Sequence, residues 1–295
     1  MKNKLLLLLF LLGVVFPLSA QESEVLISTS HTSLLLSTPQ GGELKFLYYG
    51  RKLTDADVHA VVSTESGSFS AYPVYGLNCP SESALSVQHE DGNMTLQMEV
   101  IGVETIHQEK ADLTVISLKD KVYPFYVKLC YKAYQDVDVI EAWTEISHKE
   151  KKNVKLNQFA SAYLPVRKGN VWLSSLYGAW ANEARLVQEP LEPGMKVIKN
   201  KDGVRNSHTA HAEVMFSLDG QPRENSGRVI GAALCYGGNY KLRIDTDESE
   251  FHHFYAGINE DNSVYHLKSG EVFKTPELVL TYSDEGLSGG SRKFH

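Results

Sequence analysis

Apolar residues recur at every second position over most of the chain, the period of a strand with one buried face and not the 3.6-residue period of a helix. Across residues 94–100, Met94, Leu96, Met98 and Val100 share one face, while Thr95, Gln97 and Glu99 share the other. Just upstream, Leu85, Val87 and His89 alternate with Ser86, Gln88 and Glu90, and Asp91-Gly92 lies between the two runs. Glycine supplies the positive φ of a tight turn, so this pattern predicts a hairpin. A second hairpin is predicted from residues 126–134 and 137–147, joined near Gln135-Asp136. Further β-branched and aromatic runs place strands at 44–49, 113–119, 154–164, 228–236, 240–245, 251–258, 264–267 and 278–283. No fifteen-residue window carries an apolar stripe at helical spacing, so long helices are not expected. The pattern points to an all-β fold, a large antiparallel β-sandwich. Residues 183–207, with Pro190, Pro193, Gly194 and Gly203, are the least regular and are expected to run as a long excursion over one sheet. Past Asp284 the chain is polar and carries Gly286, Gly289 and Gly290, so it is expected to fray.

The first residues break the strand pattern. Lys2 and Lys4 precede an apolar run from Leu5 to Phe16, Pro17 interrupts it, and Leu18-Ser19-Ala20 offers a cleavage site. Residues 1–20 therefore read as a secretory signal peptide. The run is shorter than the ~20 residues a spanning helix needs, and no later stretch is continuously apolar, so no membrane insertion is expected after cleavage. Gln21-Glu22-Ser23 follows without a cysteine for a lipid anchor. The expectation is a free exported protein, periplasmic or extracellular, with one domain over residues 21–285.

With 295 residues, 42% of them hydrophobic, the chain is not a disordered one. Without Lys2 and Lys4 it holds 27 basic against 36 acidic residues, a net charge of −9. That balance argues against nucleic acid as a partner, since such binding draws on clustered Lys and Arg. The one dense basic run, Lys149-Glu150-Lys151-Lys152, reads as a solvated turn.

Most site chemistries fail on the residues themselves. Gly237-Gly238-Asn239 lies between two strands, as a turn does, rather than ahead of a helix, so it does not cradle a phosphate. Cys79, Cys130 and Cys235 lack the spacing of a zinc site or a disulfide framework. Export permits one bridge, an odd count leaves at least one thiol over, and small buried residues are the simpler reading. His208-Thr209-Ala210-His211 has no third ligand nearby, and His252-His253 should point to opposite faces of a strand. Residues 245–250 begin like a calcium loop but lack its glycine and closing glutamate, so they read as a turn. No metal and no cofactor is expected. Glycoside hydrolysis needs a carboxyl pair, and the sequence singles out none. Aromatic residues are the better pointer to sugar, because a ring face stacks on the C–H face of a pyranose. Tyr72, Tyr75, Trp172, Tyr177 and Trp180 cluster near predicted loops or strand ends, although the same rings would suit a sandwich core.

Residues Leu176-Tyr177-Gly178-Ala179-Trp180-Ala181-Asn182-Glu183, followed by Glu189-Pro190-Leu191-Glu192-Pro193-Gly194, resemble the amino-terminal domain of family 36 α-galactosidases. The likeness continues in order through Ser207-His208, Tyr255-Ala256-Gly257-Ile258-Asn259, Thr275-Pro276-Glu277, Tyr282-Ser283-Asp284-Glu285-Gly286-Leu287 and Ser291-Arg292-Lys293-Phe294-His295. Leu47-Tyr48-Tyr49-Gly50 and Tyr72-Pro73-Val74-Tyr75-Gly76 match more loosely. The resemblance implies a β-supersandwich of galactose-mutarotase-like architecture, followed in the family by a (β/α)₈ barrel that carries an aspartate nucleophile and an aspartate acid/base. No Lys-Trp-Asp segment of the nucleophile type occurs here, so the resemblance implies no catalytic residue in this chain. Residues 286–295 are then the start of a linker to that barrel. Substrate-binding candidates are Tyr72, Tyr75, Asn78 and Trp180. Two departures bear on them: Leu77-Asn78-Cys79-Pro80 stands where the family has an Asp-Phe-Arg-like segment, and Asn182 stands where it commonly has Arg.

Three functions follow from these readings. The first is the amino-terminal domain of an exported α-galactosidase, inactive by itself, whose parent meets α-galactoside oligosaccharides through its barrel and can form a homo-oligomer. The second is a stand-alone carbohydrate-binding module. The third is a mutarotase-like epimerase using a His and a Glu of the sandwich, which rests on fold alone.

Overall fold

The structure is a computed structural model that describes residues 23–39, 42–64, 69–76, 82–166, 168–205 and 208–295. Residues 1–20, which the sequence reads as a signal peptide, and Asn78 and Cys79 lie outside the described residues. In chain order the elements are β1 (Ser23–Ser28), β2 (Thr32–Thr38), β3 (Lys45–Arg51), α1 (Asp55–Thr64), β4 (Phe69–Ser70), β5 (Leu85–Gln88), β6 (Met98–His107) and β7 (Ala111–Asp120). There follow β8 (Phe125–Tyr134), β9 (Val139–His148), β10 (Val154–Phe159), β11 (Ala162–Val166), β12 (Trp172–Ala179), β13 (Asn182–Pro190), β14 (Gly194–Lys199) and β15 (Ala210–Ser217). The chain closes with β16 (Val229–Leu234), β17 (Tyr240–Thr246), β18 (His252–Ile258), β19 (Tyr265–Leu267), β20 (Val272–Lys274), β21 (Leu278–Ser283) and α2 (Gly286–Arg292).

A ten-stranded sheet runs β13-β12-β15-β16-β21-β9-β8-β7-β6, with β20 also paired to β9. A four-stranded sheet, β11-β18-β17-β14, packs on it, and Phe216 of β15 meets Phe254 of β18 edge to face at 5.1 Å. Smaller sheets, β1-β2-β3-β4 and β19-β10-β5, close the ends. The fold is all-β and antiparallel, as the alternation required.

The predicted hairpin at residues 126–147 is present as β8 and β9, paired from Phe125↔His148 to Tyr134↔Val139. The one predicted at residues 85–100 is not. Its turn forms, with Gly92 at φ +90 and its N–H donating to His89 O, but the arms diverge. β5 pairs with β10 and β6 with β7. Period two reports which face a side chain takes; the partner strand is set by distant residues. Residues 154–164 likewise split into β10 and β11 at a corner where Ala160 N–H donates to Ala84 O and Ser161 N–H to Ala256 O, so one run serves two sheets.

Two expectations of irregularity are overturned. Residues 183–207 hold the strands β13 and β14, because β12 and β17 offer them ladders, that of β12 interrupted by one register shift near the hairpin tip. The glycine-rich end does not fray. Residues 286–292 coil into α2 against β16 and β21, with Gly289 and Gly290 buried. A Cβ on Gly231 would fall 2.7 Å from the Phe294 ring, so a bare strand position is what lets that ring lie on the sheet. The helix α1, short and without a buried residue, is announced only by its start: Thr54 N–H donates to Asp57 Oδ2 and Asp57 N–H to Thr54 Oγ1.

Candidate functional site

The antiparallel hairpin β12–β13 forms one edge of the ten-stranded sheet, and its tip is the most exposed aromatic position among the described residues. Ala179 pairs with Asn182 across a two-residue turn of Trp180 and Ala181, and Trp180 is 83% exposed. The turn requires unusual backbone. Ala181 (φ 59) and Ala184 (φ 55) both occupy the left-handed region, which costs an alanine about 1 to 3 kcal/mol. Gly178 sits so close to the returning strand that a Cβ would lie 2.5 Å from Glu183 Cα. Ala181 N–H donates to Glu183 Oε1 and helps hold the tip. Positive φ within the turn is what a two-residue hairpin connection requires.

Beside this hairpin lies a cleft of about 550 Å³, floored by Ser174, Ser175 and Met215 and walled by α2. Glu213, Glu224 and Arg292 line it, so it is polar and charged on both signs. Its volume is that of a small-molecule site or of a seat for another segment of protein.

The other sequence candidates fall elsewhere. Tyr72 is buried, with its hydroxyl donating to Ala160 O at 2.7 Å and burial pushing its pKa far up, so it serves the core. Tyr75 is 49% exposed, beside Leu96 just ahead of β6, at the opposite edge of the ten-stranded sheet from Trp180. Trp172 and Tyr177 are half-buried along β12. The hairpin thus presents Trp180 without Tyr72 or Tyr75.

The nucleophile and metal candidates are bound up in structure. Cys130 is buried, and burial pushes its thiol up to about 12. Cys235, expected to be buried, is exposed; both cysteines are free. His252 and His253 do diverge: His252 pairs with Thr246 Oγ1, His253 with the Tyr163 hydroxyl and Asp247. Asp247 Oδ1 accepts from Ser249 N–H and Phe251 N–H, which makes the acidic run a turn. Among the described residues no group of three His, Cys, Asp or Glu side chains is set to hold a metal, and no helix is long and apolar enough to cross a membrane.

The basic run hides a buried acid. Glu150 accepts from His89 Nδ1 at 2.8 Å with both side chains almost fully enclosed, and Tyr123 stacks on His89 at 3.7 Å. This is a His–Glu pair of the kind an epimerase would use, but it is sealed from substrate. Its signal in the sequence was faint, since Glu150 stands among lysines.

Comparison with known proteins gives a consistent picture. Residues 42–268 match the glycosyl hydrolase family 36 N-terminal domain. The α-galactosidase Mel36A of Lactobacillus acidophilus is 32% identical over 191 residues, 65% of this chain and 26% of that protein. The bifunctional α-galactosidase/sucrose kinase AgaSK of Mediterraneibacter gnavus is 26% identical over 302 residues, 91% of this chain and 32% of that protein. The chain spans about a quarter to a third of the length of these curated relatives. The crystal structure of the family 36 α-galactosidase AgaA from Geobacillus stearothermophilus in complex with raffinose superposes with a TM-score of 0.86 at 23% identity, over 92% of this chain and 42% of that one, a likeness of fold.

Proposed function

Because the chain belongs to the glycosyl hydrolase family 36 N-terminal domain, we propose that it is the amino-terminal domain of an exported α-galactosidase and has no turnover alone. The observation that carries this reading is the match over residues 42–268. The parent removes terminal α-galactosyl groups from oligosaccharides with retention, using carboxylates on a barrel outside this chain. The architecture supports the division of labour. A (β/α)₈ barrel takes about 250 residues of alternating parallel strand and helix. The described strands are instead committed to antiparallel sheets.

A direct test fuses a family 36 barrel after His295 and follows hydrolysis of 4-nitrophenyl α-galactoside. The fused protein is expected to turn over with retention, read by nuclear magnetic resonance of the first-formed anomer, and the 295-residue chain is expected to release no phenol. Turnover by the chain alone, persisting through purification, would refute the reading. Export is tested by amino-terminal sequencing, with Gln21 expected first in the periplasm or medium.

A second reading, a carbohydrate-binding module that works without a barrel, is favoured by the 83% exposure of Trp180. It predicts quenching of tryptophan fluorescence by α-galactosides in the unfused chain.

A further inference from the structure

We propose that a second cleft, distinct from the one beside Trp180, is a binding site for a neutral saccharide. It lies where the β1–β4 sheet and α1 meet the two main sheets and has a volume of about 510 Å³. The two clefts open on opposite faces of the ten-stranded sheet: Ile230 lines this one, whereas Gly231 beside it lies under Phe294, which lines the other.

Three features define the ligand. The first is aromatic density. Phe46, Tyr48, Phe69, Phe251 and Tyr282 converge here from β3, β4, β21 and the segment before β18. Phe69 and Phe251 meet edge to face at 4.9 Å, a rigid corner whose ring surfaces suit the C–H face of a pyranose. The second is charge balance. Arg228, the charged side chain among the lining residues, is held by Asp219, whose carboxylate accepts from Arg228 Nε at 2.9 Å and from Nη2. Asp219 is kept below the usual carboxylate range by that guanidinium. A neutralised pair gives no advantage to a charged ligand, yet its remaining donors and lone pairs can meet hydroxyl groups. The third is size, since 510 Å³ accommodates one or two sugar rings and falls within the range of small-molecule sites. An apolar body with neutral hydroxyls is what these features select together.

The inference draws on the proposed function only for its probe, the α-galactoside melibiose. Binding is measured by titration calorimetry on the purified 295-residue chain, with thermal unfolding of each variant as the check on folding. Phe251→Ala is expected to weaken melibiose about tenfold, a loss typical of one stacking contact. Arg228→Gln is expected to weaken it comparably, and because Arg228 is 44% exposed this variant keeps the test decisive if Phe251→Ala does not fold. Unaltered affinity in a folded Arg228→Gln or Phe251→Ala protein would overturn the proposal. So would loss of affinity on Trp180→Ala instead, which moves the site to the hairpin, or no binding at about 10 mM melibiose, far above the micromolar-to-millimolar range of useful sites. None of these results touches the α-galactosidase reading, which is judged by turnover of the barrel-bearing protein.

Discussion

The β12–β13 hairpin and the carboxyl-terminal segment both line the 550 Å³ cleft, yet they are built in opposite ways. The hairpin is well paired and largely exposed, with two alanines at positive φ below an open tryptophan. The carboxyl-terminal segment is polar and glycine-rich, yet it is docked and anchored. Its anchor is Lys293, which donates to Tyr282 O at 2.6 Å and forms an ion pair with Asp138 in the β8–β9 turn. Asp138 also accepts from His31 N–H and the Thr29 hydroxyl, so one buried carboxylate ties the first strands, the central hairpin and the last residues together. Regular pairing holds the hairpin's shape without burying it, whereas the contacts of Lys293 with Asp138 and Tyr282 O dock a segment of poor local propensity.

The largest effect that would break this contrast is expected from Asp138→Ala. Removing this buried carboxylate leaves the Thr29 hydroxyl, the His31 N–H and Lys293 without their shared acceptor and should cost about 2 to 4 kcal/mol in urea unfolding, with new proteolysis after Asp284. An unchanged midpoint would show that the anchor is dispensable. Acid probes the same group more gently. Burial raises the Asp138 pKa, but Lys293, the Thr29 hydroxyl and the His31 N–H outweigh it and hold the carboxyl below its usual range. Its folded pKa is therefore the lower one. The stabilisation is complete above the unfolded value near ~3.9 and fades as pH falls through the folded value, so protease protection of α2 should persist to about pH 4 and be lost below it.

Next in size is Gly286→Ala. Gly286 has φ +69, and a Cβ would lie 2.5 Å from Arg223 O, so α2 should detach at a cost of about 1 to 3 kcal/mol, visible as hydrogen exchange confined to residues 284–295. At the hairpin the sign reverses. Ala181→Gly relieves left-handed strain and should stabilise the protein by up to about 1 kcal/mol, read as a small rise in Tm. Smallest is Trp180→Ala, expected to change stability by no more than about 0.5 kcal/mol while removing any saccharide contact at the tip. A larger loss would mean that the ring packs against the protein.

The strands that alternate, such as β7 and β9, were legible because each buries one face and leaves the other partly exposed. β2 was not, since Leu34, Leu35 and Leu36 are buried on both sides and leave no polar beat to count. Trp180 could be named from its motif, and its exposure fits. Tyr72 was named by the same logic and is core, because an aromatic letter does not say which side of a sheet it faces. The Phe46–Phe251 cleft could not be read as a site from any one stretch: its walls come from positions some two hundred residues apart.

The sequence alone determined the all-β class, the antiparallel habit and the family, since all three are written in local periodicity and in short motifs read along the chain. Which strands pair, that β10 and β11 part into different sheets, that His89 and Glu150 are sealed together, and that Lys293 reaches Asp138 were decided only by tertiary structure. Those outcomes depend on closing loops of tens to more than a hundred residues, and whether such a closure is stable rests on complementary surfaces that no single stretch of chain contains.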